Sequence, residues 1–257
     1  MAVVATLLEN RRAVLALRRS LPKGSARSTV SCRTPAALHR LLASRLVDAV
    51  VINPVPSLPV AIAELRRSHP ALPIIAYAPF RPDDGAVLVA CREAKLNAVA
   101  VEGVDDAIVG DIVARHSMTM ARRLAMADAP RVLRLTEPLQ REAWDYLLGA
   151  VEKPVRTATL ARHLDVSREH LSRQFGAGGA PNLKRVIDLT RIAAAAQLLK
   201  NPGTGIAAVV RLLHFASASH LSATARRIAG TASTGLGALG PRGVLSAFVR
   251  GNTRSRA

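Results

Sequence analysis

Between residues 28 and 116, compact apolar runs alternate with segments whose apolar residues recur every three or four positions. The runs 46–54 (LVDAVVINP) and 72–79 (LPIIAYAP) are almost continuously apolar, as parallel strands covered on both faces must be. Shorter runs at 13–17, 28–32 and 98–101 predict three further strands. Helical spacing over 35–45, with Ala37, Leu38, Leu41 and Leu42 inward, and over 60–68, 84–96 and 105–116 supplies the crossovers. Strands and helices alternating in this way predict an α/β fold, a doubly wound parallel sheet of about five strands.

Past residue 117 only the helical period remains, so an all-α region is expected to follow. One helix is predicted over 118–134, with Met120, Leu124 and Leu133 as contacts, serving as a connector or as a dimer surface. Another, over 136–149, has Thr136 as cap and Leu139, Ala143, Tyr146 and Leu147 inward. The stretch 157–175, TATLARHLDVSREHLSRQF, sets Ala161, Leu164, Val166 and Leu171 between two crossing helices and turns Arg168, Glu169, His170, Ser172 and Arg173 outward. Thr157 and Ser167 are the expected caps, and Asp165 occupies the turn. Such a pattern suits a helix-turn-helix whose second helix carries readable polar groups, and also an ordinary helical hairpin.

After a glycine-rich turn, residues 183–200 form a long predicted helix with Val186, Ile187, Ile192, Leu198 and Leu199 on its apolar side, stopped by Asn201, Pro202 and Gly203. Helices over 204–214, capped by Thr204, and 217–229, capped by Ser217 and closed by Gly230, then repeat the motif. A connecting helix of about 18 residues is roughly 27 Å long. With its turns it can hold two reading helices about 34 Å apart, one turn of DNA. Residues 236–257 mix glycine, small residues and arginine, and read as a basic, partly disordered tail, either poorly ordered throughout or with a short helix over Val244–Arg250 followed by disorder.

Composition sharpens this picture. A chain of 257 residues favours two domains, and with 49% hydrophobic but only 3% aromatic residues the cores must be built from Ala, Val, Leu and Ile. Thirty-six basic against eighteen acidic residues leave +18, a balance that favours polyanions such as nucleic acid, though a generally arginine-rich proteome gives the same excess. Both halves are positive, +8 over 1–136 and +10 over 137–257, but after Asp188 there are nine Lys or Arg residues and no acid.

Cys32 and Cys91 have no CxxC spacing and read as reduced thiols, so neither a disulfide nor a metal pair is expected. Apolar runs fall short of the roughly 18 to 20 residues that cross a bilayer. A cytoplasmic, nucleoid-associated location without membrane contact is therefore expected. His39, His69, His116 and His163 are isolated, and Asp83 and Asp84 read as helix-capping groups. With no nucleophile–base pair, phosphate loop or metal cluster in view, the expectation is no enzyme, no metal and no cofactor.

Residues 10–120 resemble the receiver domain of bacterial response regulators. In that family the third strand ends in a phosphorylated aspartate, and here Asn53 stands at that position. The metal-binding acid pair after the first strand is replaced by the Leu17, Arg18, Arg19 neighbourhood, the hydroxyl after the fourth strand by Ala78, and the lysine after the fifth by Glu102 or Gly103. The resemblance thus implies a receiver scaffold without phosphotransfer.

Residues 137–235 resemble the AraC/XylS family of transcription regulators through three blocks in order, LARHLDVSREHLSRQF, LTRIAAAAQLL and IAAVVRLLHFASASHLSATARRIAG. The second turn carries His214 and Phe215 where that family has Gly-Phe. The resemblance puts the base-reading face on Arg168, Glu169, His170 and Ser172, with Ser219 and His220 in the second reader. Arg168 suits guanine and Glu169 cytosine, while a first-turn helix-dipole contact is the other reading of Glu169. Arg173, Lys184, Arg226 and Arg227 suit phosphate contact. Arg191 is expected to brace the long helix.

The expected organisation is a receiver-like α/β domain at 1–120, a helical connector at 121–136, a tandem helix-turn-helix domain at 137–235 and the tail at 236–257. The expected function is sequence-specific, DNA-binding transcriptional regulation, read mainly by the first motif, with a non-phosphorylatable N-terminal domain for dimerisation or sensing. The alternative is an architectural or adaptor protein with mainly nonspecific DNA affinity. Expected partners are double-stranded DNA, a second copy of the chain, and a protein or small-molecule signal at the N-terminal domain.

Overall fold

The computed structural model describes residues 3–22, 28–54 and 59–254, except the side chains of 59–61, 177 and 252–254. The chain divides into two compact units, Met1–Ala121 with Asn201–Gly203, and Arg122–Lys200 with Thr204–Ala257.

The first unit runs β1 (Val3–Leu7), α1 (Arg11–Ser20), β2 (Ser28–Ser31), α2 (Pro35–Ser44), β3 (Val47–Ile52), α3 (Pro59–Ser68), β4 (Ile74–Ala78), α4 (Gly85–Glu93), β5 (Ala98–Val101) and α5 (Val109–His116). All strand pairs are parallel, in the order β2-β1-β3-β4-β5, a doubly wound arrangement. β1, β3 and β4 are buried along their whole length, which is why those runs carry no polar alternation. One face packs Leu38, Ile62 and Leu65 against Val3, Ala5, Val50 and Ile74. The other packs Ala13, Leu17, Val109 and Val113 against Val4, Val51, Ile75 and Tyr77. Gly110 lets α5 close on α1, since a Cβ there would lie 2.2 Å from the Ser20 carbonyl carbon.

The first strand is Val3–Leu7, and residues 13–17, expected as a strand, lie in α1. Asn10 caps that helix by accepting from the Arg12 amide. Its buried residues, Ala13, Val14, Ala16 and Leu17, follow the helical period while Arg11, Arg12, Arg18 and Arg19 take the other face. The expected helix over 60–68 begins at Pro59, and the side chain of Val60 lies outside the described residues.

The second unit is helical: α6 (Met118–Ala125, beginning in the first unit), α7 (Ala129–Val132), α8 (Pro138–Gly149), α9 (Thr157–His163), α10 (Arg168–Gln174), α11 (Leu183–Leu198), α12 (Ile206–Leu212), α13 (Ala218–Ala229) and α14 (Leu236–Arg254). The single helix expected over 118–134 is two helices. Leu124, expected as a contact, is 70% exposed, whereas Arg122 is 3% exposed. Burial of that guanidinium is compensated by donation from Nε and Nη2 to the Leu148 carbonyl and from Nη1 to Gln197 Oε1. In α8 the lone tryptophan, Trp144, is core together with Ala143, Leu147 and Leu148.

α11 is buried almost all round, from Leu183 to Leu198, as a central helix must be. Its 16 residues span roughly 24 Å, shorter than the sequence spacing implied. Residues 236–254 form a helix broken at Gly240 (φ 60°, ψ 179°), which contains the short helix expected over 244–250 and extends it to Leu236 in place of a poorly ordered tail. Leu236, Val244, Leu245 and Phe248 are buried, and α14 packs on α11 and α13. Pro241 restarts the helix after the break, a position where a missing amide hydrogen costs nothing.

Candidate nucleic-acid interface

The two helix-turn-helix motifs share their backbone hydrogen bonds. In the first, α9 ends with the Val166 amide donating to the Ala161 carbonyl at 3.0 Å, and Asp165 takes a left-handed φ of 53°. In the second, the Phe215 amide donates to the Val210 carbonyl at 2.9 Å and His214 takes a φ of 54°. Ser167 then caps α10 by accepting from the His170 amide at 3.1 Å, and Ser217 caps α13 by accepting from the His220 amide at 3.0 Å. The second turn has one residue more, because Ala216 separates Phe215 from Ser217.

Thr136, Thr157 and Thr204 do not cap. The N-cap positions are Glu137, Arg156 and Gly205. At Glu137 the main-chain amide donates to Gln140 Oε1, so a glutamine three residues on replaces the hydroxyl. α9 packs on α10 and α12 on α13, and Leu160, Ala161 and Leu171 in the first pair and Val209, Leu212, Leu221 and Ala225 in the second are buried.

Arg168, Glu169, His170, Ser172 and Arg173 are all exposed on α10. Arg168 and Glu169 form a loose pair, Nε to Oε1 at 3.6 Å with both side chains in solvent, an interaction easily exchanged for another partner. On α13, Ser219 and His220 are exposed, but His220 is engaged internally, its ring edge-on to Phe215 at 5.7 Å and its Nδ1 accepting from the Ala216 amide at 3.4 Å. Lys184 and Arg226 are exposed. Arg227, expected as a phosphate contact, pairs with the largely buried Asp188 at 2.8 Å and thereby fastens α13 to α11.

Arg191 is the brace of the second turn. Its Nη2 donates to the carbonyls of Leu213 and His214 at 2.9 and 3.1 Å, and its guanidinium lies 4.1 Å over the Phe215 ring. Burial draws its pKa down. The Leu213 carbonyl belongs to the C-cap of α12 and is left open by the end of that helix, and the His214 carbonyl belongs to the turn after it, a role visible in sequence only as an arginine within a long apolar helix.

In the first unit, register brings the carboxyl ends of the strands to one edge, with Thr6 beside Ser31 and Val51, Leu7 beside Ile52, and Ala78 beside Val101. Asn53 follows β3 there, its amide donating to the Leu7 carbonyl at 3.0 Å. Ala78 ends β4 and Glu102 follows β5. Because β1 ends at Leu7, the residues after the first strand are Leu8, Glu9 and Asn10, and the Leu17, Arg18, Arg19 assignment is corrected accordingly. Glu102 accepts a hydrogen bond from the Asn10 side chain. No cluster of His, Cys, Asp and Glu able to hold a metal occurs among the described residues, and none of the described helices is long and apolar enough to cross a membrane.

Residues 160–234 match the family of helix-turn-helix domains of the AraC type. The C-terminal unit thus carries a DNA-binding helix-turn-helix domain of a kind found in transcription regulators. Among solved structures, RcsB from Salmonella enterica serovar Typhimurium bound to promoter rprA is 18% identical, with 68% of this chain and 88% of that one covered at a TM-score of 0.38. Full-length FixJ from B. japonicum is 14% identical, with 88% and 96% covered at a TM-score of 0.38. No curated protein matches the sequence.

Proposed function

We propose that this protein is a sequence-specific DNA-binding transcriptional regulator in which α10 reads bases and α13 chiefly holds the duplex. The observation that carries the reading is the paired turn geometry, which leaves α10 with five consecutive-turn polar side chains in solvent and no internal task beyond one exposed ion pair. Arg168 pairs with guanine, Glu169 accepts from cytosine, and His170 and Ser172 complete the face. Ser219 and His220 contribute less, because the His220 ring is already spent on Phe215 and the Ala216 amide. Arg173, Lys184 and Arg226 neutralise phosphates, a function in which Arg227 takes little part while it holds Asp188.

The first unit is then a receiver-like domain for dimerisation or sensing, without phosphotransfer, since the amide of Asn53 is a poor phosphoryl acceptor. The protein works in the cytoplasm at the nucleoid, without enzymatic activity. Large exposed apolar residues on α4 and around β5, Leu88, Val89, Val99, Val104 and Ile108, favour a second copy of the chain as partner. A competition titration at physiological salt tests the regulator reading. Selected duplexes are expected to outcompete random ones by a factor on the order of 10³ or more, and equal competition would leave only an architectural role.

A further inference from the structure

At the carboxyl edge of the sheet, a crevice of 700 Å³ opens between the loops that follow β1, β2 and β3. Its walls include Leu7, Leu8, Val14, Cys32 and Pro35, its charged groups are Arg11, Arg18, Arg33 and Glu9, and Asn53 also lines it. Three guanidinium groups against one carboxylate make it a basic recess. Arg18 is positioned by donating to the Thr29 hydroxyl on β2. Arg11 and Arg33 are exposed, and neither has an acidic partner among the described residues.

The place of the crevice in the fold bears on its use. In the order β2-β1-β3-β4-β5, the chain turns from one side of β1 to the other between β2 and β3, so the loops after β1 and β3 lead to helices on opposite faces of the sheet. A doubly wound sheet opens a ligand crevice where its order reverses in this way, outside the carboxyl ends of the strands. The volume lies within the range of small-molecule sites, and the mixture of apolar wall and a few convergent polar groups is what such sites require. Burial raises the Cys32 thiol pKa, so this sulfur is part of the apolar wall and not a thiolate opposed to an anion.

We propose that this crevice binds a phosphorylated small molecule of nucleotide size, with Arg11, Arg18 and Arg33 on the phosphate and Leu8, Val14 and Pro35 against the organic part. Guanidinium groups meet phosphate oxygens in two-point contacts, and the single carboxylate of the crevice, Glu9, leaves an excess of positive charge for an anion to neutralise. The site itself is independent of the DNA-binding reading, and only its role as the input of a regulator rests on that reading.

Isothermal titration of the full-length protein with adenosine and guanosine mono- and triphosphates, the matching nucleosides and inorganic phosphate tests the site. At least one nucleotide is expected to bind about tenfold more tightly than its nucleoside and than inorganic phosphate, and Arg11→Ala and Arg33→Ala are each expected to weaken it by about tenfold or more. Both side chains are exposed, so the variants should melt as the parent does. Absence of nucleotide binding, equal binding of inorganic phosphate, or unchanged binding by both variants overturns the proposal. Parallel titrations with selected duplex separate the two readings. If duplex displaces the nucleotide and the variants lose duplex affinity, the crevice is a DNA contact and the proposal fails while DNA binding stands. If nucleotide binds but no duplex is selected, the reverse holds.

Discussion

Arg168 and Lys184 represent two kinds of contact with different physical consequences. Replacing Arg168 by Ala removes a two-point hydrogen bond to one base, and the expected loss of about 1 to 3 kcal/mol falls on a single position of the site. Lys184→Ala removes one phosphate contact, so binding to every duplex weakens alike and the slope of log affinity against log salt falls by about 1. Selection of bound sequences and salt titration distinguish them; an unchanged selected site for Arg168→Ala means that another face reads the bases. His214 is a residue-scale cost within the second motif, held at a φ of 54° that L-residues with a full side chain resist. His214→Gly is expected to raise stability to denaturant by about 1 kcal/mol, with a loss of stability there indicating that the imidazole has a stabilising contact of its own. The polar residues of α10 were legible in sequence because they interrupt an apolar stripe. The engagement of Arg227 by Asp188 and of His220 by Phe215 was not, since both partners lie off the reading helix or across its turn.

Among the elements, α14 departs furthest from its sequence. Glycine, arginine and small residues dominate residues 236–254, yet four apolar side chains at helical spacing, Leu236, Val244, Leu245 and Phe248, find α11 and α13. The Phe248 ring is 1% exposed and lies under the Arg185 guanidinium at 4.9 Å. Phe248→Ala is therefore expected to cost about 3 to 5 kcal/mol in urea unfolding of the C-terminal unit, whereas a disordered tail would tolerate it without change. The mistaken first strand has a related cause. AVLAL at 13–17 is short and apolar enough for either element, and the arbiter was Asn10 together with arginines on both flanks, which leave a helical stripe buried and the charges in solvent. Caps were the least legible feature, because a threonine near a helix start has the same sequence signature whether or not its hydroxyl reaches an amide.

For the whole molecule, the central question is what the N-terminal unit passes to the reader. With Asn53 at the end of β3, incubation with acetyl phosphate is expected to leave the protein unmodified, as read by intact mass and phosphate-affinity electrophoresis; a phosphorylated species would overturn the assignment. The sequence by itself determined the alternation of strands and helices from residue 28 to 116 through its apolar periods, the change to helices alone after it, and the duplication of the helix-turn-helix, all of which depend on interactions between residues close in the chain. Only the tertiary structure decided that residues 236–254 form a wall of the helical core, that Arg122 is buried, that Arg191 satisfies the second turn, and that Arg11, Arg18 and Arg33 share one crevice with Asn53. Each of those depends on partners 20 or more residues away, where the pairing energy is set by geometry that no local period encodes.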